Sequence, residues 1–253
     1  MNRTLAFSRR CFKEMLRDPL SYIFCLGFPL VMLVIMTLVD RSIPPGGPSV
    51  FHIEKLTPAV AVFGQTFVML FTALTVSNDR AGAFLTRLYA TPMTGRDFTL
   101  GYLLPMLGIS FLQSVVTFAA GFIISLILGT PLNAGGLLLS LIVLLPSALM
   151  FTAIGFIFGT LFNEKTAPPL SSIIISLGSF LGGIWFDAEA TGGVMLTLCK
   201  CLPFFYCTKA ARSAAVLDLS AGGFFLPLLI VTVCAAALTL LGSAVFSRRM
   251  KAQ

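Results

Sequence analysis

Six long apolar segments alternate along this chain with segments that carry its charge. The apolar runs span residues 22–39, 58–76, 100–128, 137–162, 168–186 and 224–246. They contain no Asp, Glu, Lys, Arg or His, although the chain has 17 Lys and Arg and 10 Asp and Glu residues. Each run has about the length that a helix needs to cross a hydrocarbon core of roughly 30 Å. We therefore predict an all-α polytopic membrane protein, with six transmembrane helices in a single domain over residues 1–253.

The composition supports a bilayer environment. Hydrophobic residues make up 57% of the chain and charged residues only 11%, which is more apolar than a soluble core requires. A soluble helical bundle would need polar outer faces at helical spacing. Because the apolar runs hold no carboxylate, ammonium, guanidinium or imidazole, the chain has no obvious proton relay or ion-coupling site. If the protein moves a substrate uphill, we expect the energy to enter from outside the chain.

The N-terminal residues 3–18 have the pattern of an amphipathic helix that precedes the first span. At about 100° per residue, one side carries Arg3, Arg10, Lys13, Glu14 and Arg17, and the other side carries Leu5, Phe12, Met15 and Leu16. We expect this helix to lie in the cytoplasmic interface with its basic side toward lipid headgroups, and to end at Pro19. A plain basic anchor without a mechanical role is the alternative, and both interpretations stay open.

The distribution of basic residues predicts the orientation. Twelve of the 17 Lys and Arg lie on one set of flanks: Arg3, Arg9, Arg10, Lys13, Arg17, Arg80, Arg87, Arg96, Lys165, Arg248, Arg249 and Lys251. The positive-inside rule assigns these flanks to the cytoplasm. We therefore expect a multi-pass protein of the plasma membrane with both termini cytoplasmic. The net charge of +7 needs no nucleic acid to explain it, because anionic headgroups meet these flanks.

The predicted external segment 187–223 is long and largely apolar, but too short for two further crossings. We expect short re-entrant or interfacial helices there. It also holds Cys199, Cys201 and Cys207. Without a nearby His or a CxxC pair we predict no metal site, and the three thiols are either semi-buried or joined in a disulfide.

The predicted cytoplasmic loop 77–99 is a candidate docking surface. Four of its residues recur at helical spacing, and Pro92 stops the predicted helix: Phe84, Leu85, Leu88 and Tyr89. Arg80 and Arg87 flank them. A short helix that exposes aromatic and aliphatic side chains to the cytosol is typical of a protein-binding element.

Taken together, the chain resembles the membrane subunits of type-2 ATP-binding-cassette exporters. The resemblance covers essentially the whole chain and rests on the six spans, the basic lead-in, the loop from Asp79-Arg80 to Thr91-Pro92, and Leu202-Pro-Phe-Phe-Tyr in the last external segment. It implies that the loop forms a coupling helix that seats on a nucleotide-binding subunit. The residues implied in coupling are Asp79, Arg80, Gly82, Phe84, Leu85, Leu88, Tyr89 and Pro92. Asp79 stands where Glu is more usual, and Gly101-Tyr102 stands where Gly-Lys often follows.

The residues agree with an ATPase in a separate chain. No Lys follows a Gly, so a phosphate-binding GxxxxGK[ST] loop is absent from the sequence. The sequence also lacks HExxH and GxSxG, and its sole histidine is His52 in the first external loop. We therefore predict that the chain is not an enzyme and has no cofactor of its own, and that ATP and Mg²⁺ bind to the partner subunit.

Polar residues within the spans have two possible roles. Ser172, Ser176, Ser179 and Gly183 recur on one face of the fifth span, where small residues favour close helix packing and hydroxyls can line a pathway. We expect this face at the seam between two permease copies. Gln65 and Gln113 are the large amides of the spans, and either contacts substrate or bonds to a neighbouring helix.

The most specific function that these features support is the permease half of an ATP-driven exporter. We expect two copies, or one copy with a similar permease, and an amphipathic substrate such as a drug, a peptide or a lipid. The alternative is an ATP-independent channel or a scramblase-like protein. Such a passive pore has little need for an exposed apolar helix in the cytosol.

Overall fold

The computed structural model describes residues 3–44, 49–82, 94–130 and 132–251. This part of the chain is helical and contains no strand, which confirms the all-α class. We number the main helices in chain order: α1 Arg3–Leu16, α2 Ile23–Ser42, α3 Ile53–Ala81, α4 Gly95–Leu128, α5 Ala134–Leu161, α6 Ala167–Leu181, α7 Gly193–Cys201, α8 Pro203–Ala215, and α9, which joins Ala221–Phe225 to Leu226–Lys251.

Five described helices are long and apolar enough to cross a membrane, and the count is six if the bent pair α7 and α8 forms one span. The polytopic prediction is therefore confirmed at this level. The predicted fifth span, 168–186, differs from the structure because α6 has only 15 residues and ends at Leu181. It ends there because Gly182 and Gly183 follow, and Gly183 takes a φ of +64°, which takes the chain out of the helix. At about 22 Å, α6 is shorter than a hydrocarbon core is thick.

The centre of the molecule is α3. In its most apolar stretch 83% of the residues are buried, against 22% for both α2 and α9. Helix α5 approaches α3 closely at two glycines: a Cβ at Gly155 would lie 2.2 Å from the Met69 carbonyl oxygen, and one at Gly159 would lie 2.6 Å from that of Ala73. Small residues allow this contact between apolar helices. The exposed apolar side chains of α2, α4 and α9 form an outer surface suited to lipid.

The N-terminal amphipathic helix is present as α1, and it ends at Leu16, before Pro19. Its packed face differs from the predicted one. Phe7, Cys11 and Met15 are buried, whereas Leu5, Phe12 and Leu16 are exposed. Phe7 and Cys11 were not part of the predicted apolar side. They pack because α1 lies against the start of α4, where an aromatic cluster receives them.

The 187–223 segment contains short helices, as predicted. Besides a single turn at Ala188–Thr191 it holds α7 and α8, whose axes are bent by 95°. Arg212 of α8 fixes this arrangement, since its guanidinium donates to the carbonyl oxygens of Lys55, Gly183 and Ile184 at 2.9 to 3.1 Å. All six cysteines lie in the described part of the chain as free thiols, so Cys199, Cys201 and Cys207 form no disulfide here.

Candidate functional site

The predicted 77–99 loop is shorter in the structure than in the sequence. Helix α3 continues to Ala81, and α4 begins at Gly95. Asp79 and Arg80 therefore belong to the last turn of a helix instead of a loop. Phe84, Leu85, Leu88, Tyr89 and Pro92 lie outside the described residues.

Asp79 connects three helices at this end of the molecule. Its carboxylate accepts a 2.7 Å hydrogen bond from the Tyr102 hydroxyl of α4. It also accepts from the two Nη atoms of Arg10 in α1, at 3.4 and 3.5 Å. The Asp79 side chain is only 13% exposed, so its charge needs these partners to offset the loss of water. The carboxylate thus ties α1 and α4 to the C-terminal end of α3.

Arg10 has a second carboxylate partner within α1. Its Nη2 lies 2.6 Å from Glu14 Oε1, one helical turn away. Burial by itself would lower the pKa of the Arg10 guanidinium, but the charges and hydrogen bonds of Asp79 and Glu14 outweigh it and raise the pKa. The guanidinium therefore stays charged at any physiological pH.

Arg80 faces the other neighbour of α3. Its Nη1 donates to the carbonyl oxygens of Gly159 at 2.9 Å and Phe162 at 3.2 Å. These carbonyls lie at the C-terminal end of α5, where the helix dipole and unpaired carbonyls favour a cation. Gly82 then closes α3, since its N–H donates to the Asn78 carbonyl at 3.1 Å. Adjacent residues of α3 thus fix its end to α1, α4 and α5.

Helix α1 also contacts the start of α4, which follows residues 83–93 in the chain. Thr94 and Asp97 form a capping box at the start of α4, with Thr94 Oγ1 donating to Asp97 Oδ2 at 2.8 Å. Thr4 of α1 donates to the other Asp97 oxygen at 2.7 Å. Arg10 and Thr4 therefore hold α1 to residues on both sides of this segment, one before it and one after it.

Aromatic packing completes the contact between α1 and α4. The Phe7 ring lies edge-on to Tyr102, with centroids 4.9 Å apart, and to Phe98, with centroids 5.5 Å apart. Gly101 makes room for it, because a Cβ there would lie 2.2 Å from Phe7 Cδ1. The dipeptide Gly101-Tyr102 therefore has two structural roles in this chain: the glycine admits Phe7, and the tyrosine bonds to Asp79.

The predicted seam residues divide into two groups. Ser172 and Ser176 are exposed on α6, whereas Ser179 is buried and donates to the Ile175 carbonyl at 2.6 Å. The first two line an apolar groove of about 460 Å³ between α2, α3 and α6. The other residues of this groove are Phe24, Phe67, Leu70, Phe71, Leu74 and Ile175.

The two glutamines lie away from this groove. Gln65 is buried, donates to the Leu144 carbonyl of α5 at 3.2 Å, and accepts from Ser147 at 2.6 Å. Gln113 is also buried and donates to Thr117 Oγ1 at 3.0 Å; a Cβ at Gly64 would collide with its amide. Both side chains therefore use their amides within the helix bundle, which favours the packing interpretation over substrate contact.

The sequence analysis missed Tyr102, Arg10 and Thr4 as members of one site. For Tyr102, the available signal was that Gly101-Tyr102 stands where the family often has Gly-Lys. Only the docking of α1 onto α4 brings Arg10 to Asp79 and Thr4 to Asp97.

A protein-family model described as an ABC-2 type transporter matches residues 2–216, which include α1, Asp79 with its partners Arg10 and Tyr102, and the apolar groove. No curated protein sequence matches the chain.

We predict that Gly101→Leu displaces α1 from α4. The new side chain meets the Phe7 ring, and overpacking of this kind costs about 1–3 kcal/mol of stability. Cys11 provides the readout, in a variant that keeps it as the only cysteine. Its thiol is fully buried, and burial together with the Asp79 charge raises its pKa to about 12, so the docked helix should not react with a maleimide at neutral pH.

The matched control is Gly108→Leu, seven residues further along α4, where an added Cβ meets no atom within 4 Å. We expect rapid Cys11 labelling in Gly101→Leu and none in the control. Equal protection of Cys11 in both variants would mean that Phe7 does not hold α1 in place.

Proposed function

The chain belongs to the ABC-2 type transporter family, and we propose that it is the permease subunit of an ATP-driven exporter that works with a separate ATPase subunit. The observation that carries this proposal is the double attachment of α1 on either side of residues 83–93. A partner that moved this segment would act on Asp79 and Asp97 together, and through them on α1, α3 and α4. A passive pore has no need of such a connection.

Helix α3 links that connection to the groove. It carries Asp79 at its end and Phe71 about two turns earlier, which is a distance of about 12 Å along the helix axis. The close packing of α3 on α5 makes it a stiff element. A displacement of the Asp79 end of α3 by the ATPase would therefore move the groove-lining residues of α3 by a similar distance.

We infer that the groove faces a second permease copy, related by twofold symmetry or supplied by a similar subunit. Its apolar and aromatic lining with two hydroxyls suits an amphipathic substrate better than an inorganic ion. Basic residues are in excess near the two chain termini and in the 77–99 segment. By the positive-inside rule, this excess supports a cytoplasmic location for both termini and for the segment. We propose export across the plasma membrane, because the chain resembles the membrane subunits of type-2 ATP-binding-cassette exporters.

We predict that the paired change Leu85→Asp and Leu88→Asp abolishes co-purification of the ATPase. Apolar anchors at an interface core contribute about 2 kcal/mol or more each, and a buried carboxylate adds a desolvation penalty. Membrane insertion and the protection of Cys11 should persist. The matched control places Asp at Val216 and Leu219, two exposed apolar residues of the 187–223 segment.

The control should keep the ATPase bound. Full ATPase binding and substrate-stimulated hydrolysis in the Leu85 and Leu88 variant would remove the segment from the coupling role. Undiminished transport in that variant without any ATPase would favour the passive channel.

We predict separately that Ser176→Trp blocks transport, because the indole fills the groove that Ser176 lines. Leu177→Trp is the control, since Leu177 is 43% exposed on another side of α6 and lies outside the groove. Transport by proteoliposomes that contain both subunits is the measurement, and we expect at least a tenfold lower rate for Ser176→Trp, about 1.4 kcal/mol in barrier. Equal rates for the two variants would show that this groove is neither seam nor pathway.

A further inference from the structure

Helix α1 has three distinct faces. One face carries Phe7, Cys11 and Met15 and is buried against the bundle. A second carries Leu5, Phe12 and Leu16, which are 58%, 38% and 50% exposed. At about 100° per residue, these three side chains fall within roughly 40° of one another, beside the packed face. An exposed apolar edge of this kind is stable where it meets an apolar phase.

The third face is a basic row. Arg9 and Lys13 lie one helical turn apart on α1, and Arg17 follows Lys13 after four more residues, in the turn just beyond Leu16, where the helix ends. All three are exposed, and none pairs with a carboxylate within the described part of the chain. Arg10 differs from them, because Asp79 and Glu14 already occupy its guanidinium.

The row borders a shallow groove of about 410 Å³. Its lining consists of Ala6, Arg9, Arg10, Lys13, Glu14 and Arg17. The small side chain of Ala6 leaves a recess between longer cationic ones. Glu14, the one acid in the groove, is paired with Arg10, so the remaining charge of the groove is positive. A phosphate group satisfies such a set of donors.

We propose that Arg9, Lys13 and Arg17 form a binding site for the phosphate of an anionic phospholipid in the membrane leaflet that α1 contacts. The apolar edge selects this occupant over a soluble phosphate or an acidic protein. The acyl chains of a leaflet supply an apolar phase for Leu5, Phe12 and Leu16. The headgroup layer next to them supplies phosphates for the basic row. The two faces are neighbours on α1, as the two layers are neighbours in a membrane.

Binding at this row has a consequence for the bundle. Helix α1 is attached to Asp79 and Asp97, so a lipid that fixes α1 also stabilises both flanks of the 83–93 segment. The site rests on membrane insertion alone and does not depend on the coupling role of that segment.

The test measures phospholipid binding by the purified full chain without any ATPase. Native mass spectrometry would compare the retention of phosphatidylglycerol and phosphatidylcholine by the solubilised protein. The wild type should prefer phosphatidylglycerol. The triple variant Arg9→Gln, Lys13→Gln, Arg17→Gln should lose this preference by roughly a factor of five for each cation removed.

Two controls make the result specific. Removing three cations elsewhere, by Lys165→Gln, Arg248→Gln and Arg249→Gln, should leave the preference intact. The charge-conserving pair Arg9→Lys and Arg17→Lys should also retain it. Protection of Cys11 from maleimide checks that α1 stays docked in every variant.

Three outcomes would overturn the proposal. The first is an unchanged phosphatidylglycerol preference in the Gln triple variant. The second is an equal loss in both triple variants, which would indicate a diffuse charge effect. The third appears when the Gln triple variant is also expressed together with the ATPase: loss of ATPase co-purification with an unchanged lipid preference would assign the basic row to a protein partner. Failure of the coupling proposal alone would leave lipid binding as predicted.

Discussion

The carboxylate of Asp79 is the interaction on which the arrangement of this molecule's functional end depends. It is mostly removed from water, and a carboxylate in that position is unfavourable unless it is paired and hydrogen-bonded. Arg10 and Tyr102 come from helices that are far apart in sequence from each other, and both reach it. Removing either partner would leave a partly buried charge less well compensated. The pairing therefore fixes the relative positions of α1, α3 and α4 more strongly than apolar contact alone would.

In the proposed function, this connection lets a bundle without charges in its apolar core respond to a partner outside it. The apolar runs hold no Asp, Glu, Lys, Arg or His, so they offer no carboxylate, ammonium, guanidinium or imidazole as a site for ion coupling. Polar contacts around Asp79 join α3 and α4, the helices that flank residues 83–93. Helix α3 continues from there to the apolar groove between α2, α3 and α6. In the proposed function such a mechanical path leads to a separate ATPase, and the described residues form a contiguous set of contacts along it.

Much of the fold could be predicted from the sequence, because long apolar segments without charged residues are strong signals for membrane-spanning helices. The apolar runs located α2, α3, α4, α5 and α9, and the basic amphipathic pattern located α1. The end of α6 was not predictable from hydropathy, since residues 182–186 are as apolar as the helix before them. A positive φ at Gly183, not a polar residue, ends α6. The predicted start of the cytoplasmic loop at residue 77 was wrong for the opposite reason. Asp79 and Arg80 are polar, as loop residues usually are, but they bond to neighbouring helices and remain in α3.

The candidate site was only partly predictable for a similar reason. The sequence indicated a docking segment and a serine face, but it could not show that Phe7 and Cys11 form the packed side of α1. Nor could it show that Ser179 is buried while Ser172 and Ser176 are exposed. These properties depend on which neighbouring helix covers each face. The hydrophobic pattern of one helix does not show which helix that is.

The most direct test of this account is a double-mutant cycle between Asp79→Ala and Tyr102→Phe, measured as the free energy of unfolding of the solubilised chain. A hydrogen bond to a charged group contributes about 1.5–3 kcal/mol, so each single change should destabilise by about that amount. The double variant should lose less than the sum of the two by about 1 kcal/mol or more, because the second change removes an interaction that the first has already broken. Additive effects of the two changes would contradict the claim that Asp79 holds α3 and α4 together.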